Sequence, residues 1–200
     1  MSQQSLLPGF EEPPALTDRL FFAVLPDADA QQSMAALVAQ LRSAHGLQSR
    51  AVLADRLHAT LCVLGDYPGL PAGVLASAEK AAQAAAQTVA PFSASFDQVL
   101  TFMTRSRTSG RRPLVLTGGE GVVGLHGLYT ALARALLKAG VAGNPSSFTP
   151  HVTLMYDECV VPAQGAAPVS WSVHELVLLH SRIGQNLPYA VLGRWPLRLS

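Results

Sequence analysis

One tetrapeptide pattern occurs twice in this chain. His58-Ala59-Thr60-Leu61 returns, 93 residues later, as His151-Val152-Thr153-Leu154. In a chain of this composition chance supplies about 0.05 such matches, and two matches about one time in a thousand. Both copies lie in apolar runs of strand length, residues 57–64 and 151–156. On a strand, side chains at i and i+2 share a face. Each copy therefore turns one imidazole and one hydroxyl to the same side, about 7 Å apart along the chain. Ala59 and Leu61 point into the core, and the second copy behaves likewise. If the two strands face each other across a cleft, two imidazoles and two hydroxyls converge.

The rest of the chain alternates between the two periodicities. Residues 19–25 (RLFFAVL) form a buried strand closed by Pro26. Asp27 and Asp29 open a helix with Met34, Leu37, Val38 and Leu41 at helical spacing, stopped near Gly46. Residues 72–89 and 122–139 are further helices. Strands are expected at 92–103, 114–117, 151–156, 171–180 and 189–195. Several strands follow one another directly, which favours α+β with antiparallel pairing over a doubly wound parallel sheet. Residues 1–17 read as a flexible tail, and 18–200 as a single domain.

At 200 residues and 49% hydrophobic, the chain can bury a sizeable core. A formal net charge of +1 excludes a general polycation, so any nucleic-acid contact must come from a local patch. Two cysteines, Cys62 and Cys159, lie far apart and read as free thiols in a reducing compartment. Neither a signal peptide nor an apolar stretch of spanning length is visible. A cytoplasmic protein without membrane contact, acting as a monomer, is expected.

The paired motifs suit acid–base chemistry at phosphorus. Histidine titrates near pH 6.5, so one ring can be neutral while the other is charged. The neutral ring takes a proton from an attacking water, and the charged ring gives one to the departing oxygen. Threonine hydroxyls can donate to the non-bridging oxygens, where charge builds up. This chemistry needs no metal.

With these residues in view, the chain resembles the 2H phosphoesterase superfamily, in its RNA 2′,3′-cyclic phosphodiesterase or 2′-5′ RNA ligase branch. The resemblance rests on RLFFAVLP (19–26), LHATLCVLG (57–65), FTPHVTL (148–154) and the stretch 175–197, with Ser181-Arg182-Ile183-Gly184 and Gly193-Arg194-Trp195-Pro196-Leu197. It implies a bilobal α+β fold with pseudo-twofold symmetry, antiparallel sheets lining a cleft and helices outside. It implies hydrolysis of RNA 2′,3′-cyclic phosphates to 2′-phosphates without a cofactor. By motif position, His58 would protonate the O3′ leaving group and His151 would activate water, while Thr60 and Thr153 would hold the phosphate. RNA-directed members often carry arginine two residues after the second motif, where this chain has Tyr156. That departure leaves open 2′-5′-linked or other cyclic substrates, ligation in reverse, and a non-catalytic RNA-end binder.

Other features divide between function and packing. Arg105, Arg107, Arg111 and Arg112 fall in a Ser/Thr/Gly-rich connection that suits either RNA phosphates or a solvated hairpin. Arg182 is a second candidate cation. Tyr156 and Phe148 flank the second motif and suit base stacking, although Phe148 suits the core equally. Gly119, Gly121 and Gly124 match a dinucleotide-binding pattern, but no acidic residue lies between Glu120 and Asp157. They read as a turn and helix entry. Asp66 and Asp157 follow the motifs without the His pairs a zinc site uses. Cys62 is expected on the His58 face, as packing. His45, His126, His174 and His180 read as structural or surface residues.

Overall fold

Local signals set the element ends. The Asp27 carboxylate accepts the Ala30 N–H at 2.9 Å and so caps α1, Ala28–His45. Gly46 ends it at φ 68°, with its N–H on the Arg42 carbonyl. Met34, Leu37, Val38 and Leu41 form its buried stripe. The computed structural model describes residues 14–104, 106, 110–141 and 148–198. Among these, β1 (Asp18–Val24) precedes α1, and β2 (Ala59–Tyr67), α2 (Ala72–Ala86), β3 (Phe92–Thr101) and β4 (Arg112–Thr117) follow. Then come α3 (Val123–Lys138), β5 (His151–Asp157), β6 (Gln164–Val173), β7 (Glu175–Arg182) and β8 (Ala190–Pro196).

The strands form one antiparallel sheet in the order β6-β3-β4-β5-β2-β1-β7-β8. The order is pseudo-twofold about the β5–β2 seam. β1 flanks β2 as β4 flanks β5, and two more strands complete each half. One core joins the three helices to one face of the strands, through Phe22, Leu125, Leu128, Leu132 and Leu176 among others. The smaller cluster Phe21, Ala23, Val177 and Leu179 lies on the opposite face of the β1 half.

Residues 171–180, expected as one strand, belong to two. The break falls at exposed His174, between β6 and β7. These strands stand first and seventh in the sheet order. A single residue spans at most about 7 Å between its neighbours, whereas six strand spacings in a flat sheet come to about 28 Å. The sheet must therefore bend strongly between its halves. Periodicity misses the break because the alternating end of β6 runs directly into the continuous apolar run of β7.

The chain joins the fold slightly before the tail boundary expected at residue 17. The Thr17 N–H bonds the Tyr67 carbonyl, and its carbonyl accepts from Ile183, each at 2.8 Å. Residues 1–13 of that tail lie outside the described residues. The glycines read as a turn and helix entry lie there, Gly119 and Gly121 at a turn leading into α3 and Gly124 in its first turn, and two of them also sit in close packing. A Cβ on Gly121 would meet the Ser95 carbonyl oxygen at 2.5 Å, and one on Gly124 the Phe92 ring at 2.2 Å. No helix among the described residues is long and apolar enough to cross a membrane.

Candidate active site at the seam

The halves touch through one strand pair, Ala59 opposite Val152. Both are buried on the helix side. Alternation then turns His58, Thr60, His151 and Thr153 to the other face, each half-buried. Carried one step either way, this register sets His58 against Thr153 and Thr60 against His151. The two imidazoles occupy a diagonal, about 7–8 Å between backbone positions. They are close enough for a charge on one to oppose a charge on the other.

A wedge keeps the seam short. Val52 N–H bonds the Leu154 carbonyl at 2.8 Å, and Ala51 bridges Met155. This segment takes over the edge of β5 at Leu154 and Met155, so the residues before β2 cannot extend the pairing in that direction. Asp157 anchors the wedge, accepting the N–H groups of Ser49 (2.9 Å), Gln48 (3.1 Å) and Cys159 (2.9 Å). Burial raises its pKa, but these donors outweigh it and hold it below the usual carboxylate range.

Each motif carries the same bulge. Thr60 pairs with Ala23 and Cys62 with Phe22, leaving Leu61 extra. Thr153 pairs with Val115 and Met155 with Leu114, leaving Leu154 extra. Leu61 and Cys62 therefore both enter the helix-side core, as do Leu154 and Met155. The expectation that Cys62 shares the His58 face is overturned, because the bulge reverses the alternation after Thr60. Its reading as packing stands.

Both imidazoles are held alike. The Nδ1 of His58 lies 2.7 Å from the Arg56 carbonyl, and that of His151 lies 2.7 Å from the Thr149 carbonyl. A carbonyl only accepts, so Nδ1 carries the proton and the neutral ring presents its lone pair at Nε2. Their surroundings differ. The His58 ring meets Phe21 at 5.1 Å and Tyr189 at 5.2 Å. Burial there pushes its pKa down to about 4, outweighing the Arg56 carbonyl, with His151 and Arg56 adding repulsion. His151 has Phe102 at 5.0 Å.

Among the other expected residues, Tyr156 is exposed on β5 with the parity of the imidazole face. It lies near enough to influence Arg19 and Tyr189 electrostatically. Phe148 instead stacks on Tyr129 at 4.4 Å and meets His126 at 5.1 Å. It packs against the core beside α3, with one ring face taken by Tyr129. Arg182 pairs with Asp18, at the end of β1 far from Ala23 and with the parity of Leu20 and Phe22. It faces away from the imidazoles and helps hold Asp18 ionised, after the larger effects of Thr17 and His180. Arg105 and Arg107 lie outside the described residues. His180 is structural, bonding Asp18 at 2.5 Å. Cys62 is buried and Cys159 exposed.

Several residues on this face were not singled out from sequence. Arg19, two positions before Phe21, forms a two-point bond with Asp66 at 2.6 and 2.8 Å. This bond raises the arginine's pKa and occupies one of the two acids weighed as metal ligands. Among the described residues no three His, Cys, Asp or Glu side chains gather as a metal site would need. Arg56 lies over the Tyr189 ring, 4.3 Å from its centre, and bonds its hydroxyl at 3.1 Å and the Leu187 carbonyl. The i+2 rule, extended back from Ala23 and His58, would have flagged Arg19 and Arg56. Nothing local marks Tyr189.

The fold matches known structures. LigT of Escherichia coli, in apo form, is 25% identical with a TM-score of 0.67, covering 92% of this chain and 100% of that one. TT0787 of Thermus thermophilus is 26% identical with a TM-score of 0.64, covering 90% and 98%. LigT complexed with 3′-AMP is 24% identical with a TM-score of 0.69, covering 92% and 99%. No curated protein matches the chain by sequence. The family model described as the 2′-5′ RNA ligase superfamily matches residues 25–185, from the end of β1 to just past β7. That span includes both motifs and the seam joining them, and the chain belongs to this superfamily of 2H phosphoesterases.

Proposed function

We propose that the protein hydrolyses 2′,3′-cyclic phosphodiesters at RNA ends to 2′-phosphates, by acid–base catalysis between His58 and His151. The observation that carries this reading is the Ala59–Val152 pair, which turns both His-x-Thr motifs to one face with Nε2 of each ring available for proton transfer. Thr60 and Thr153 hold the non-bridging oxygens. His151 takes the proton of the attacking water, and His58 protonates O3′ as the P–O3′ bond breaks. LigT, which shares the fold, binds 3′-AMP, consistent with a nucleotide end in this cleft. Tyr156 offers a face to its base. The chemistry runs in the cytoplasm.

The donor role must contend with His58's low pKa. Protonating a group of pKa about 4 at pH 7 costs about 4 kcal/mol. A phosphate anion about 4 Å away returns about 4 kcal/mol at an effective dielectric constant near 20. His58 therefore picks up its proton together with the anionic substrate. The reverse assignment, with His58 as the base, is favoured by its neutrality in the free protein. A substrate with sulfur in place of O3′ separates the two, because thiolate leaves without a proton. With His58 as the acid, His58→Ala loses little on that substrate.

The primary test is hydrolysis of a 2′,3′-cyclic nucleotide in EDTA. Activity should persist in the wild type and collapse in both His58→Ala and His151→Ala. Full activity in either variant would remove the two-histidine mechanism. A clear preference in kcat/KM for 2′-5′-linked oligonucleotides would redirect the substrate.

A further inference from the structure

Arg56 holds His58 in two independent ways. Its carbonyl accepts the His58 Nδ1–H at 2.7 Å. Its guanidinium reaches the connection between β7 and β8, bonding the Leu187 carbonyl and the Tyr189 hydroxyl while lying on the Tyr189 ring. That ring stands edge-on to both His58 and Phe21, at 5.2 Å each. So 131 residues of sequence separate the arginine from the Leu187 carbonyl it fastens, and the fastened segment covers one of the two imidazoles. In the other half the Thr149 carbonyl plays the first part. The ring contact there is Phe102, which directly follows β3 and is held by its own N–H on the Pro113 carbonyl at 2.9 Å.

We propose that Arg56 is a positioning residue: its guanidinium fastens Leu187 and Tyr189 so that the Tyr189 ring stands against the His58 ring, while its carbonyl orients that ring, and one side chain thereby governs how much water reaches one of the two imidazoles. The planar five-donor fork suits this task, since it satisfies a carbonyl, a phenol and an aromatic face at once. Ammonium at the same place makes fewer of these contacts. The groups facing His58 are Arg56 from its own segment, His151 across the seam, Tyr189 from the cover and the apolar Phe21 from β1. Tyr189 in turn senses Arg19 and Tyr156. Opening the cover admits water to His58, which stabilises its charged form. The proposal rests on the cleft reading for its catalytic meaning, but its physical content does not.

The test follows the His58 ring by NMR through a pH titration, with His58→Ala for assignment. Tyr189→Ala removes the cover but keeps the Arg56 charge. It should raise the His58 pKa by at least about one unit toward the ordinary value near 6.5. Arg56→Lys keeps the charge but loses the fork, and should give a smaller rise in the same direction. Tyr189→Phe keeps the ring and should move the pKa least. The acid limb of kcat/KM should follow the same order. A His58 titration within about 0.2 units of wild type in both Tyr189→Ala and Arg56→Lys would overturn the proposal. If the ring titrates as expected but no cyclic phosphate is turned over, the positioning role stands and the proposed reaction fails. Both substitutions lie outside the helix-side core. Should Tyr189→Ala nevertheless fail to fold, Arg56→Lys alone decides.

Discussion

The two halves of the sheet repeat one local design in different surroundings. Each has a histidine held by the carbonyl two residues before it, a threonine two residues on, and a bulge that sends the next two side chains into the core. In the β1 half the imidazole lies between Phe21 and Tyr189 beneath a segment fastened by Arg56. In the β4 half its ring contact is Phe102. Backbone duplication thus leaves the same ring nitrogen, Nε2, free in both copies, and the side chains around the two rings differ. In the proposed reaction, near-symmetric geometry with unsymmetric solvation lets one site hold an acid and a base at once.

Four measurements would break or sharpen this contrast. The largest effect is expected for histidine removal. His58→Ala and His151→Ala should each lower kcat/KM by about 10²–10⁴-fold. The double variant should be little worse than either single, because the rings act as a unit. Additive losses would mean that the halves work separately.

Next is acid stability. The folded pKa of His58, about 4, lies below the unfolded value of 6.5. Its contribution is therefore fully present above pH 6.5 and is lost as pH falls through 4. The loss is about 3 kcal/mol. Denaturant unfolding at pH 7 and pH 4 should show a smaller drop for His58→Gln than for wild type. Asp157, held ionised by main-chain donors, loses its contribution only as pH falls below its ordinary value of 3.8, beneath this window. Equal drops in variant and wild type would show that His58 is not desolvated.

Gly124→Ala should cost about 1–3 kcal/mol in thermal or denaturant unfolding, because the new Cβ overlaps the Phe92 ring. It tests how tightly α3 seats on β3. A neutral result would mean that the helix can shift. The smallest effects are expected for Thr60→Val and Thr153→Val, about 1–1.5 kcal/mol each, or roughly tenfold in kcat/KM. Loss at only one threonine would carry the asymmetry of the imidazoles over to the phosphate.

Much of the site was legible early. Strand alternation alone put His58 with Thr60 and His151 with Thr153, because a two-residue period acts within one strand. It failed at Cys62, where a bulge inserts a residue and reverses the faces. It also failed at His174, where one exposed residue parts two strands from opposite halves of the sheet. Alternation also left Phe148 undecided between base and core, and the face of Arg182 unread, for a related reason. Proximity to a motif in sequence does not give the face, which is set by packing against α3 for one and by pairing with Asp18 for the other.

By itself, then, the sequence determined the element types, the duplicated His-x-Thr pattern and which side chains within each copy travel together. All of these follow from local backbone periodicity and burial preference. Tertiary structure alone decided that Ala59 meets Val152, that residues 51–52 wedge the strands apart beyond it, and that Arg56 ties Tyr189 over one ring. Those contacts join segments about a hundred residues apart. They are fixed by how two halves bury a shared core, which no window along the chain contains.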